Sequence, residues 1–196
     1  MTQSDPDDSD DLARPAARRR RFDPHRRSRI VRAAIDVIGE VGVERLTLRG
    51  VAAVADVPLG SMTYHFESVD ELLVSALEIT IQESIETWRK WGADLPAGAD
   101  LPAELAALLQ RLTTGQARRV TAAALDLYLA AIRRPHLQSS TSSWAGVIFE
   151  TLAERVDPAT ARALALMVNG LILEALANDV PVNQEDGEEV LRRLLT

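Results

Sequence analysis

Apolar residues recur along nearly the whole of this 196-residue chain at the three-to-four-residue spacing of one helix face, and no run alternates with period two over the length of a strand. That spacing restricts the fold to an all-α one. The first such segment runs from Arg27 to Val41, with Ile30, Val31, Ala34, Ile35 and Ile38 on one face and Gly39 and Gly42 at its far end. Thr47 is placed to cap a short helix holding Leu48, Val51, Ala52 and Val54. Asp56, Val57 and Pro58 break that helix before a second short one reaching about His65. Two short helices joined by a tight turn are the shape of a helix-turn-helix. Ser68 and Glu71 then form a capping box that opens a long helix, whose stripe is Leu73, Leu77, Ile81, Ile85 or Ser84, Trp88 and Trp91. After a loop at Gly92, Pro96, Gly98 and Pro102, helical patterns follow near Pro102 to Leu112, Gln116 to Arg133 and His136 to Val156. Asp157 and Pro158 open another helix to about Ala177, and a last one covers about Glu185 to Leu195. The count is about nine helices, with no internal repeat.

Charge is segregated along the chain. Residues 1 to 11 carry five aspartates and no base, and residues 12 to 55 carry eleven arginines against four acids, a net of +7. The remainder carries eleven bases against twenty acids, a net of −9. A basic segment on an acidic body suits one face meeting a polyanion; the alternative is a solvated tail. Residues 1 to 25 combine the acidic run, Pro6, Pro15 and Pro24, and the run Arg18 to Arg21, which reads as a disordered arm. Cysteine is absent, so there is no disulfide, thiolate metal site or cysteine nucleophile, and a reducing, cytoplasmic location fits. No stretch of about 18 consecutive apolar residues occurs, and the acidic N-terminus is unlike a signal peptide, so membrane insertion and secretion are not expected.

Residues 47 to 66 read T-L-R-G-V-A-A-V-A-D-V-P-L-G-S-M-T-Y-H-F. With the helix before them and S-V-D-E-L-L after them, they resemble the DNA-binding domain of the TetR family over about residues 27 to 75. The resemblance rests on Gly42, Thr47, Val51, Ala52, Val57, Gly60, Tyr64, Phe66, Ser68 and Leu72 in unbroken order. It implies an N-terminal three-helix DNA-binding domain at residues 27–66 and an effector-binding and dimerisation domain at 67–196. The residue chemistry is compatible: Gly60 lets backbone approach DNA, and Tyr64 and His65 can donate to phosphate oxygens. Leu59, Gly60, Ser61, Met62, Tyr64 and His65 form the expected recognition surface, flanked by Thr47 and Arg49 and by Arg26 and Arg27. Thr47 has the alternative role of helix cap alone, and Tyr64 that of packing. Two departures from the family pattern stand out. Asp56 occupies the place where the turn usually has glycine, a left-handed position that aspartate tolerates. Val69 stands where many members have a phosphate-binding lysine, for which the basic arm with Arg26, Arg27 and Arg29 can compensate.

The segment 159 to 177 is apolar almost all round and must be covered on more than one side. A partner subunit can cover the second face, so Ala163, Leu166, Met167, Gly170, Leu171 and Glu174, with Leu191, Leu194 and Leu195, are expected at a homodimer seam. Five of the eight aromatic residues lie in the C-terminal body: Trp88, Trp91, Tyr128, Trp144 and Phe149. They line an effector pocket or only pack the core. Asn169 needs a hydrogen bond within the dimer seam or to a ligand. Asp126, Glu150 and Glu154 either attract a cationic ligand or face solvent. The three histidines are far apart, and no metalloprotease, hydrolase or phosphate-loop pattern occurs, so no catalysis, metal or cofactor is expected. The expected function is a repressor that leaves operator DNA when an apolar or aromatic effector binds. The alternative is a helical DNA-binding or adaptor protein without an effector; steep salt dependence of DNA binding separates DNA-binding readings from a pure adaptor.

Overall fold

The computed structural model describes residues 25–134 and 142–195, with backbone alone for 142–145. Within them the chain forms nine α-helices, one 3-10 turn and no strand: α1 Arg26–Val41, α2 Leu48–Val54, α3 Leu59–His65, α4 Val69–Asp94, α5 Leu101–Leu112, α6 Gly115–Arg133, α7 Ser142–Ala153, α8 Pro158–Ala177 and α9 Gln184–Arg193. Residues 1 to 24 of the expected arm lie outside the described residues, as does the start of the helix anticipated at His136.

The helix boundaries follow local chemistry. Thr47 adopts an extended backbone and its Oγ1 accepts from the N–H of Gly50 at 3.1 Å, which caps α2. Ser68 does the same for Glu71 at 3.1 Å, opening α4. The reciprocal half of that box is shifted by one residue, since the Glu71 carboxylate accepts from the N–H of Glu67 at 2.8 Å. Asp157 caps α8 by accepting from Ala159 and Thr160. The Thr160 hydroxyl, then the backbone donors, hold the Asp157 carboxyl below its ordinary range. This cap therefore contributes above the ordinary carboxylate pKa and is lost as pH falls through the depressed value. Asp56 sits at φ 52° between α2 and α3, the left-handed conformation expected of it.

One continuous core joins the two halves. α1 places Ile30, Val31, Ala34, Ile35 and Ile38 inward, and α4, about 39 Å long at 1.5 Å per residue, reaches from α1 to α7. α1 also packs against α6, and there the main chains approach closely: a Cβ on Gly39 would stand 2.3 Å from the carbonyl oxygen of Arg119. The same seam carries two polar ties. The Asp126 carboxylate of α6 accepts from the Val43 N–H at 2.6 Å, and the Gln116 amide donates to Asp36 at 2.9 Å. α5 pairs with α9, and α7 with α8. The Asp100–Arg192 bond at 2.6 Å ties the start of α5 to α9.

α8 is long and apolar enough to cross a membrane by length and composition, yet only 28% of its apolar window is buried within this chain. Its inward face is Ala161, Leu164, Ala165, Val168 and Ala175. Leu166 and Leu173, 66% and 50% exposed, stand outward with Ala163 and Gly170.

Candidate DNA interface and effector domain

The α2–α3 unit presents a mixed apolar and polar surface. Leu59, Gly60, Thr63 and Tyr64 are exposed, Ser61 and His65 half-buried, and Tyr64 is the most open, at 81%. Its ring meets that of His65 edge-on at 5.0 Å. A Cβ on Gly60 would meet nothing within 4 Å, so that stretch of helix is open to a large partner. Thr47 and Arg49 are exposed at the start of α2, on the same unit. Beside them, Tyr64, His65, Phe66, Glu67, Ser68 and Glu71 line a hollow of about 450 Å³ at the α3–α4 corner.

Met62 does not belong to this surface. It is 0% exposed and joins the core with Phe66, four residues on, so the face of α3 that carries this pair is turned towards the protein. Met62→Ala should therefore destabilise the protein by about 2 to 5 kcal/mol in chemical denaturation, whereas Tyr64→Ala should leave stability within about 0.5 kcal/mol. Equal effects of the two would contradict these placements.

Arg27 is also committed within the protein. Its guanidinium lies 4.8 Å from the Phe66 ring centre, donates to Ser75 Oγ at 3.0 Å and stands 3.6 Å from Glu71. It fastens the first turn of α1 to the α3–α4 corner, a role that its sequence position does not reveal. Arg26 is half-buried, with its Nε enclosed and without a hydrogen-bond partner.

In the C-terminal body, Trp88 and Trp91 are both buried, with rings 5.7 Å apart in an edge-to-face arrangement. Tyr128 and Phe149 are half-buried, and the Phe149 ring is covered by the Arg162 guanidinium at 4.3 Å. The side chain of Trp144 lies outside the described residues. Asn169 is exposed on the outward side of α8, so within one chain it lines no interior pocket, contrary to one of its two anticipated roles. Of the three carboxylates considered for a cationic ligand, Glu150 and Glu154 are exposed, and Asp126 is bound to Val43. Sequence reasoning missed Arg155, which donates to the carbonyls of Gly92 and Leu95 at 2.6 and 3.1 Å and so closes the end of α4. It also missed the contact of Gly92 with Thr151, whose methyl would stand 2.5 Å from an added Cβ.

The expected seam needs one correction. Leu191 is 0% exposed and turned with Gly187 towards α5, so it is part of the chain's own core and is not offered to a partner. Val180, Val190 and Leu194 are the open apolar groups in that region. Ala163, Gly170 and Glu174 are exposed and Met167 and Leu171 half-buried; Leu171 and Glu174 also line a second hollow of about 450 Å³ between α8 and α9. Among the described residues no cluster of histidine and acidic side chains is arranged to hold a metal.

An N-terminal helix-turn-helix on a larger helical body defines a class of DNA-binding regulators, and the comparisons fall in it. Residues 30–76 match the model described as bacterial regulatory proteins, tetR family, and residues 97–196 match the tetracyclin repressor-like C-terminal domain. The chain belongs to the TetR family of transcriptional regulators. Among solved structures, multidrug binding protein EbrR complexed with ethidium shares 44% identity at a TM-score of 0.70, over 88% of this chain and 99% of that one. A TetR family member from Streptomyces coelicolor A3 shares 44% identity at 0.70, over 87% and 98%. An uncharacterized HTH-type transcriptional regulator of Mycobacterium tuberculosis is 33% identical over 95 residues, 47% of this chain. The match spans about half of that relative, 48% of its length. One from Xanthobacter autotrophicus, described as lying in the dhlA 5' region, is 30% identical over 74% of this chain and 73% of its own length.

Proposed function

We propose that this chain is a cytoplasmic repressor that binds a near-palindromic operator as a homodimer and leaves it when a small apolar or aromatic molecule enters the helical body. It works by binding and carries out no catalysis. The observation that carries the DNA-binding part is the exposed α3 surface, where an open glycine adjoins Ser61, Thr63 and Tyr64 on a unit flanked by Arg49. Gly60 admits the sugar-phosphate backbone, Tyr64 and His65 supply donors to phosphate or base edges, and Thr47 and Arg49 hold the register from α2. Met62 and Arg27 keep this surface in shape from behind.

The effector part is supported by the matched C-terminal domain and by the 44% identity to EbrR, a multidrug binding protein complexed with ethidium. α4 is the element that can join the two functions. It starts at the α3 corner and ends at Trp88 and Trp91, so a ligand that parts the helices around those rings moves both. Two recognition helices displaced from half-sites roughly 34 to 36 Å apart no longer fit one face of the duplex. A ligand that prefers the displaced state by about 1 to 3 kcal/mol weakens DNA binding roughly 5- to 150-fold.

The test starts with operator fragments selected from genomic DNA by the purified protein. Tyr64→Ala should weaken binding to them about tenfold, the order expected for one hydrogen bond to a charged group. Arg49→Ala should weaken it similarly on all sequences and lower the salt slope by about one unit. Unchanged affinity and slope in both variants would refute the interface. Adding 9-fluorenone, a neutral aromatic molecule without the charge that draws ethidium to DNA, should release the fragment, and the operator should weaken fluorenone binding to the protein by the same factor.

A further inference from the structure

The end of α4 carries an unmet donor. The indole Nε1–H of Trp91 is enclosed in the core, the residue being 8% exposed, and it has no hydrogen-bond partner. The neighbouring main-chain carbonyls of Gly92 and Leu95 accept from the Arg155 guanidinium, not from the indole. Trp88 offers its ring to Trp91 and no acceptor of the ordinary kind. Buried donors without acceptors are few in native proteins because each loses its bond to water and gains nothing.

We propose that the Trp91 indole N–H is the anchoring donor of the effector site, and that the effector is a flat apolar molecule, neutral or anionic, carrying a carbonyl or carboxylate oxygen. This rests on the effector reading above and narrows it. The cation at this end of the helix points the same way: the Arg155 guanidinium, held on the carbonyls of Gly92 and Leu95, disfavours a second positive charge beside Trp91. The α4–α7 seam is closed beside Trp91, with the Thr151 methyl against Gly92, so a molecule reaching the indole must part these two helices.

The probes are 9-fluorenone and fluorene, which share one ring skeleton and differ in a carbonyl. Both are titrated into the full-length protein by calorimetry and by quenching of tryptophan fluorescence. Fluorenone should bind at least about fivefold tighter than fluorene, the return from one hydrogen bond. In Trp91→Phe, which keeps an apolar ring and drops the donor, that preference should shrink to less than twofold, with the melting temperature of the free protein unchanged or raised. Trp88→Phe should retain the preference. On wild-type protein labelled with 15N-tryptophan, the Trp91 indole proton should move downfield with fluorenone and not with fluorene, a reading that does not depend on any variant folding. Equal binding of the two probes, or a preference that survives Trp91→Phe, overturns the assignment. If either probe still releases operator DNA in that case, the effector reading stands without it. If nothing does, both fall.

Discussion

Replacing Gly39 by alanine should destabilise the protein by about 2 kcal/mol and loosen the DNA-binding unit from the body, although alanine is the better helix former. The two effects oppose one another and their sizes decide. Alanine gains about 1 kcal/mol over glycine inside a helix. Against that, its Cβ would stand 2.3 Å from the Arg119 carbonyl oxygen and 2.9 Å from the carbonyl carbon, both main-chain atoms that no rotamer change removes. α1 and α6 must part by about 1 Å, and overpacking of this kind costs about 1 to 3 kcal/mol or more. The seam also holds the Asp126 bond to Val43 and the Gln116 bond to Asp36, which lengthen as it opens, so the upper end of that range applies. Gly60→Ala is the matched contrast. Its Cβ meets nothing, so stability should be unchanged or up to about 1 kcal/mol higher, while operator affinity falls because the methyl sits on the DNA side. Urea denaturation and operator titration of the two variants separate a packing glycine from a contact glycine. A Gly39→Ala protein as stable as the parent would mean that the seam opens freely.

That pair of glycines shows what the sequence could and could not convey. Both lie inside helical patterns, and no local signal distinguishes them, because the difference is made by α6, some 80 residues away from Gly39. Features fixed within a few residues were legible: the caps at Thr47, Ser68 and Asp157, the left-handed Asp56, and the helix spans themselves. Side-chain facing in the short helices was harder. Met62 reads as part of the DNA side from its place in the motif, but it lies four residues before Phe66, and that spacing puts both on one buried face. Leu191 reads as a partner contact from its apolar stripe alone, because nothing in the sequence signals that Gly187 lets α9 approach Ala106 of α5. Arg27 was counted with the arm because its contacts lie up to 48 residues downstream, on Phe66, Glu71 and Ser75.

The outward face of α8 should yield the largest change in assembly. We expect the double variant Leu166→Glu and Leu173→Glu to convert a dimer into monomers and to reduce operator binding to that of a single half-site. Both leucines are among the most open large apolar groups of the chain, and they are seven residues apart, two turns along one side of a helix that one chain buries only in part. Gly170, between them, has open space where a Cβ would stand, so a second helix can approach its backbone there. In a two-fold dimer each leucine is buried twice. With 66% and 50% of the two leucines open in each chain, burial at about 1.5 to 3 kcal/mol per full side chain gives at least about 3.5 kcal/mol, more than 10²-fold in the dimer dissociation constant, before any repulsion among four glutamates. The folded monomer should survive, because neither side chain contributes to its own chain's core. Leu191→Glu should behave differently: that residue is buried between α9 and α5, and the charge there should unfold the C-terminal layer. Sedimentation at micromolar concentration reads the mass against the 21.4 kDa of one chain, and circular dichroism reads the fold. A double variant that still sediments at twice the chain mass would place the dimer seam elsewhere. In that case the open face of α8 would have to be covered by something other than a second copy.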